Sequence, residues 1–415
     1  MTDSTNLDME FVRSQFPGLG SGWGYFDNAG GTQILEGVVE KMNEFLFHRN
    51  VQIGGSYDVS QQALASLNAG REAMRNLVNA ERAEEIVFAP SATVAMQNLA
   101  RSMRSQFTEG DEIVVTVCDH ESNIGPWVGL EEFGVRIRVW EVDRDTFELD
   151  LDDLAPLMND RTRLVAVTHV SNILGTINPI AEIARFVHER GALIAVDSVA
   201  FAPHRSIDVQ ALDVDYLVFA LYKVYGPHYA VMYGRFGLLA DLDNLYHYFY
   251  GKDKVPAKLE PGNASYELAY GATGIAEYLD ELGSRVSTAD DSRDRIVAAF
   301  DAITGHECAL GERLLAYLRG RSDCRIIGRE SGTDPGRVPT ISFKVDGMNS
   351  GSIARKMDAY KLAIRFGDFH ARRLVEFLGL DAAGGVVRVS MVHYNTLAEV
   401  DALIDALDEI LGPSD

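Results

Sequence analysis

The sequence predicts an α/β protein: a mostly parallel central sheet flanked by helices, plus a smaller α+β domain. Three observations predict it. From about residue 33 to about 235, short apolar runs alternate with stretches of helical spacing, an order that builds parallel sheets with helices on both faces. Beyond residue 266 the order changes to long helical patterns followed by short strands. The 415 residues also exceed what one hydrophobic core usually serves. The expected division is a large α/β domain over 26–265, with 1–25 and 266–415 forming the small domain.

The strands of the large domain are expected at 85–89, 112–117, 136–140, 163–168, 192–196, 215–221 and 230–233, each a short run rich in Val, Ile, Leu and Phe. Helical spacing fills most gaps, as at 180–190, which stops at Gly191. The stretch 246–263 is first aromatic and then charged, and contains Gly251, Pro256, Pro261 and Gly262; it reads as a long functional loop, its aromatic start Tyr246-His-Tyr-Phe-Tyr250 as packing at a dimer interface, with the wall of a pocket for a larger amino acid as the alternative. Helices are expected at 266–282, 292–319 and 397–411, and small-domain strands at 338–343, 362–365 and 386–390.

Net charge −23 and an isoelectric point near 4.8 argue against nucleic acid or an anionic membrane as partner. No apolar run approaches the roughly 20 residues that span a bilayer. The opening residues are polar and acidic, unlike a signal peptide, so a cytoplasmic protein is expected. Cys118, Cys308 and Cys324 lie far apart, without metal-ligand spacing. Gly18-Leu-Gly-Ser-Gly-Trp-Gly24 lacks the G-x-G-x-x-G spacing and follows no expected strand, which disfavours a dinucleotide site.

Two strand ends carry the chemistry. The run 192–196 closes on Asp197, and the run 216–222 closes on Lys223. Only 8 of the 38 basic residues are lysine, so a lysine ending a buried strand is not an accident of composition. Ligands of such sheets bind at the C-terminal strand ends. An amine and a carboxylate delivered there suit pyridoxal phosphate: Lys223 forms a Schiff base with its aldehyde, and Asp197 keeps its ring nitrogen protonated. Ser91-Ala-Thr93 opens a helix after another strand, and a helix start offers N–H groups and positive dipole to a phosphate. His120, just past a strand, is placed to stack on the cofactor ring. Asn172 is placed to bond its phenolic oxygen.

Several ordered motifs then carry a resemblance across essentially the whole chain. Tyr25-Phe-Asp-Asn-Ala-Gly-Gly-Thr32, Asp119-His-Glu-Ser-Asn-Ile-Gly-Pro-Trp127, Thr168-His-Val-Ser-Asn-Ile-Leu-Gly-Thr-Ile-Asn-Pro179, Val196-Asp-Ser-Val-Ala-Phe-Ala-Pro-His204 and Tyr222-Lys-Val-Tyr-Gly-Pro-His228 resemble those of the cysteine desulfurase-like enzymes. These belong to the class V aminotransferase group of fold-type I pyridoxal phosphate proteins. Ile364-Arg-Phe-Gly-Asp-Phe-His370 and Arg388-Val-Ser-Met-Val-His-Tyr-Asn395 fall where that family binds substrate. The resemblance implies Lys223 as the Schiff-base lysine that also moves the Cα proton, Asp197 on the ring nitrogen, His120 on the ring, and Asn172 on the phenolic oxygen. It implies Ser91, Ala92, Thr93 and Tyr222 around the cofactor. It implies Asn28, Ala29, Arg365 and Arg388 around the substrate, with Arg388 as the fork for the carboxylate. Glu260-Pro-Gly-Asn263 resembles a loop that lends a phosphate contact, through Asn263, to the neighbouring subunit, so a homodimer with shared active sites is implied.

The departures narrow the chemistry. True cysteine desulfurases carry a nucleophilic cysteine where this chain has His370. Ala200, Ala220 and Tyr222 stand where the family has, respectively, a glutamine or histidine, a phosphate-binding serine, and a histidine. The pattern resembles a subgroup lacking the desulfurase nucleophile. The expected enzyme acts on a small amino acid through an external aldimine and Cα deprotonation. Elimination at Cβ in the manner of a carbon–sulfur or other Cβ–heteroatom lyase comes first, with His370 or Tyr222 protonating the leaving group. Transamination, epimerisation with His370 as the opposite-face acid, and a cofactor-binding scaffold without turnover are the alternatives.

Overall fold

The computed structural model describes residues 7–333 and 336–413. The polar opening stretch 1–6 lies outside the described residues. A short helix, Met9–Ser14, leads to strand β1 (Gly24–Tyr25), and two helices, Glu36–His48 and Asp58–Val78, follow. Seven strands then form one sheet: β2 (Ile86–Ala89), β3 (Glu112–Thr116), β4 (Arg136–Trp140), β5 (Thr162–Thr168), β6 (Leu193–Asp197), β7 (Tyr216–Ala220) and β8 (Ala230–Gly234). Their spatial order is β2-β8-β7-β6-β5-β3-β4. β8 runs antiparallel to both neighbours, and every other pairing in the sheet is parallel.

The sheet is buried on both faces, and its sequence shows why. Along β5, Val165 and Val167 enter one apolar cluster while Leu164 and Ala166 enter another. In β7, Leu217 and Phe219 face the first cluster, and Tyr216 and Val218 the second. Strands apolar at both parities have no solvent face, which is the pattern of a parallel sheet between helix layers. Asp58–Val78 crosses the long helix Tyr266–Val286 so closely that a Cβ on Gly70 would meet the Ala269 carbonyl oxygen at 2.1 Å.

A second, four-stranded antiparallel sheet has the order β12-β13-β10-β9. Its strands are β9 (Cys324–Ile327), β10 (Thr340–Val345), β12 (Arg365–Gly367) and β13 (Val386–Ser390); β11 (Leu362–Ala363) pairs with β1 instead. Helices Ser292–Arg319 and Leu397–Leu411 pack on it. The strand expected at 362–365 is therefore two strands with different partners, because the N-terminal segment inserts there: Phe26 N–H donates to the Ala363 carbonyl and receives Ser390 N–H on its own carbonyl. β9 was not expected; its half-exposed Cys324-Arg-Ile-Ile327 shows neither alternation nor a long apolar run. No helix among the described residues is long and apolar enough to cross a membrane.

Candidate active site

The register of β5, β6 and β7 places Thr168 opposite Asp197 and Asp197 opposite Val218, so their C-terminal ends form one edge. Against that edge lies a cavity of about 500 Å³, mouth included. Ser91, Ala92, Thr93, His120, Asn172, Asp197, Tyr222 and Lys223 line it, with Ser122, Thr168, Val170, Val199 and Ala200. Residues scattered over 130 positions of sequence thus meet in a volume suited to a small cofactor.

Lys223 ends the single turn Leu221–Lys223 that follows β7 and is buried. Burial, and after it the Arg388 charge, pull its ammonium down to about 8, while Asp197 and Asp27 oppose the shift. Asp197 is buried, accepts the Val199 N–H at 2.9 Å, and has its carboxyl raised by burial, with that hydrogen bond and Lys223 working against it. No cation among the described residues lies within ion-pair distance of Asp197, so its carboxylate fits a positively charged ligand group such as a protonated ring nitrogen.

Ser91 caps the helix Ala92–Met103, its Oγ accepting the Val94 N–H at 3.2 Å. The first N–H groups of that helix border the cavity, as an anion seat requires. Thr93 Oγ1 lies 2.6 Å from Ser122 Oγ. His120 accepts the Ser122 N–H on Nδ1 at 3.1 Å, which leaves the ring proton on Nε2. Burial pushes its pKa down to about 4, and Lys223, His370 and Arg388 add to that shift. A neutral flat imidazole suits stacking. Asn172 gives its Nδ2 to the Phe369 carbonyl at 2.9 Å, while its Oδ1 is buried without a partner. An orphaned polar atom on the cavity wall is a second sign that a polar ligand belongs there. Tyr222 stacks on His228, centroids 4.8 Å apart.

Arg388, on β13, is 2 % exposed, lies 3.7 Å over the Phe369 ring, and donates from Nη1 to the Asn172 carbonyl at 3.2 Å. Burial draws it down to about 10 against the pull of Asp27. Arg365 remains half-exposed beside Asp27. Asn28 is buried with its amide spent on Tyr25, Ser390, Asn395 and Tyr394, and the Ala29 N–H goes to Ser390 Oγ at 2.8 Å. These bonds tie the segment to β13 rather than leaving its donors open. His370 is exposed, with its ring 5.2 Å from that of His120. Asn263 is not brought to this cavity; it is exposed on the 246–263 loop, near Tyr246.

Two further acidic residues, Asp27 and Asp119, shape the site, and the sequence assigns neither a role. Asp27 pairs with both arginines. Asp119 is fully buried, accepts from Thr116, Asn123 and the Thr168 N–H, and has its carboxyl pushed up to about 8 by burial, with Asp197 adding to the rise. Its side chain fixes the His120 turn against β5. The motifs quoted both residues, but only the fold shows their partners. No cysteine among the described residues lines the cavity. Cys118 packs in an apolar cluster, with its thiol pushed up to about 12 by burial.

The model of the aminotransferase class-V family matches residues 24–403. The chain belongs to that family. It is 42% identical to an aminotransferase-like protein of Gibberella zeae, over 98% of this chain and 100% of that one. It is 34% identical to a cysteine desulfurase-like protein of Aspergillus flavus, over 98% and 91%. The solved structure of the cysteine desulfurase CsdA of Escherichia coli superimposes with a TM-score of 0.82 at 27% identity, covering 97% of this chain and 98% of that one. This is a cysteine desulfurase-like, pyridoxal phosphate-dependent class V enzyme of the fold-type I architecture.

Proposed function

We propose that this enzyme cleaves a carbon–sulfur, or other Cβ–heteroatom, bond of a small amino acid without a persulfide on the protein. The observation that carries the reading is the cavity itself: it presents a buried lysine opposite a buried carboxylate, and no thiol. Pyridoxal phosphate bound there would supply an electron sink for the pair left at the substrate's Cα. Its phosphate would be held at the start of the helix Ala92–Met103 and by Thr93, its ring by His120 and Asp197, its phenolic side by Asn172, and its aldehyde by Lys223.

The chain's own groups divide the remaining work. Lys223, with an ammonium near 8, carries a neutral amine readily enough at physiological pH to move a proton at Cα. Arg388 offers a buried guanidinium to the carboxylate and so orients the Cα–H bond toward Lys223. His370, exposed with its ring 5.2 Å from that of His120 on the cavity wall, is the group to protonate a departing sulfur or other heteroatom. The reading includes a cytoplasmic homodimer in which the 246–263 loop meets the second copy and Asn263 reaches the partner's phosphate seat.

The test follows the visible absorbance of the pyridoxal phosphate-loaded enzyme with cysteine, O-acetylserine and related amino acids, while keto acid, released sulfur and Cα proton exchange are measured. Many turnovers of keto acid with the colour retained are expected. Stoichiometric bleaching instead assigns transamination, and proton exchange with racemisation but no keto acid assigns epimerisation.

A further inference from the structure

Asp27 stands where three chain segments meet. β1 pairs with β11, Ser390 of β13 donates its N–H to the Phe26 carbonyl, and Asp27 itself bridges to Ser390. This framework sets the Asp27 carboxylate between two guanidinium groups. Oδ1 lies 3.1 Å from Arg388 Nη2, and Oδ2 lies 3.5 Å from Arg365 Nη1.

The two arginines are not equivalent. Arg388 is buried, so its charge needs an anion nearby. Among the described residues Asp27 is the one carboxylate within ion-pair distance of it. Arg365 is half-exposed and can be hydrated. Arg388 is also incompletely satisfied: Nη1 is engaged by the Asn172 carbonyl and Nη2 by Asp27, but Nε is buried without a partner. A buried guanidinium with one donor held by an internal carboxylate and another vacant is a carboxylate seat already half taken.

We propose that Asp27 is a resident competitor for that seat and sets which substrates enter it. This rests on the reading that Arg388 receives the substrate carboxylate. An arriving carboxylate takes Nε first, then displaces Asp27 from Nη2. Asp27 keeps its hold on Arg365, so neither negative group is left without a cation. An amine lacking a carboxylate cannot make the exchange and meets a closed ion pair. Asp27 is a specificity-determining, positioning residue rather than a group that touches the reacting atoms.

The experiment titrates the apoprotein with propionate, a carboxylate with no amine, and with propionamide, its uncharged counterpart. Asp27→Asn removes the competing charge while keeping the shape. The variant is expected to bind propionate about 10-fold tighter than the native chain, as the loss of one charge-assisted bond to a competitor implies. Propionamide binding is expected not to change. The variant is also expected to melt at a lower temperature without propionate and to recover at saturation, because Arg388 loses its anion and regains one. Equal or weaker propionate binding by Asp27→Asn would overturn the proposal and make Asp27 a fixed buttress of Arg388. Arg388→Gln separates the two ideas: tight propionate binding that survives this change removes Arg388 as the seat, whatever Asp27 does.

Discussion

Lys223 shows how one residue's surroundings set what it does. Its ammonium is drawn from an ordinary 10.5 to about 8, by burial first and by Arg388 next. A lowered folded-state value means that the neutral, nucleophilic amine dominates above about pH 8 rather than only above 10. The rate at which the apoprotein covalently captures pyridoxal phosphate, read by absorbance, is therefore expected to rise with pH through about 8 and level off. A rise centred near 10.5 would show a hydrated lysine. Lys223→Ala should show neither capture nor turnover. His370 gives a second residue-scale prediction, since its exposed ring lies 5.2 Å from that of His120, which lines the cavity. Replacing His370 with alanine should slow keto-acid release about 100-fold, as loss of a general acid does, while leaving the spectral change on amino-acid binding nearly intact; equal loss of both would make His370 a binding residue. The placement of Lys223 and Asp197 on one cavity at the sheet's edge was legible in the sequence, because each charge closes an apolar strand run. Asp27 was not, because its partner Arg388 is 361 positions away, and nothing local distinguishes it from a surface aspartate.

At the scale of elements, the long loop is held by one buried ion pair. Arg71, on the helix Asp58–Val78, forks onto both oxygens of Glu260 at 2.9 and 2.6 Å, and Glu260 also accepts the Phe88 N–H of β2 at 2.7 Å. Both side chains are buried, so removing one charge strands the other. Glu260→Gln should cost about 3 kcal/mol in denaturant unfolding, whereas breaking the exposed, solvent-screened pair Lys252–Asp241 should leave the unfolding midpoint nearly unchanged. A loss below about 1 kcal/mol at Glu260 would mean that the loop is anchored elsewhere. The central strands were readable to within a residue or two, since their apolar runs are bounded by polar ends and both faces are buried. The helices 292–319 and 397–411 matched end to end, each with a capping side chain at its start, Asp291 and Thr396. What was not readable depended on partners far along the chain: the division of 362–367 between two sheets, and β8 entering against the direction of its neighbours. Strand pairing at an insertion point is decided by which segment arrives there, and periodicity carries no trace of it.

The whole molecule poses a problem of charge and exposed ring surface together. The chain carries a net −23, yet its 246–263 loop presents Tyr248 and Phe249 at 96% and 66% exposure. Nearby, Tyr266 joins the loop's base to the end of the helix Glu36–His48 through Gln52 and Phe45, where Leu46 and Phe47 are also exposed. Large exposed apolar side chains on a strongly charged protein suit a surface that another chain covers. If a second copy covers it, two like-charged bodies must be brought together. The association should therefore be salt-dependent: dimer by sedimentation at physiological ionic strength, where screening acts over about 8 Å, and dissociating as salt is withdrawn. Tyr248→Glu combined with Phe249→Glu should shift the protein to monomer at the same salt without altering its circular dichroism. The monomer should also bind pyridoxal phosphate more weakly, because Asn263 then has no neighbouring phosphate seat to reach. A double variant that stays dimeric would place the interface elsewhere. A monomer that keeps full cofactor affinity would mean that each subunit completes its own site.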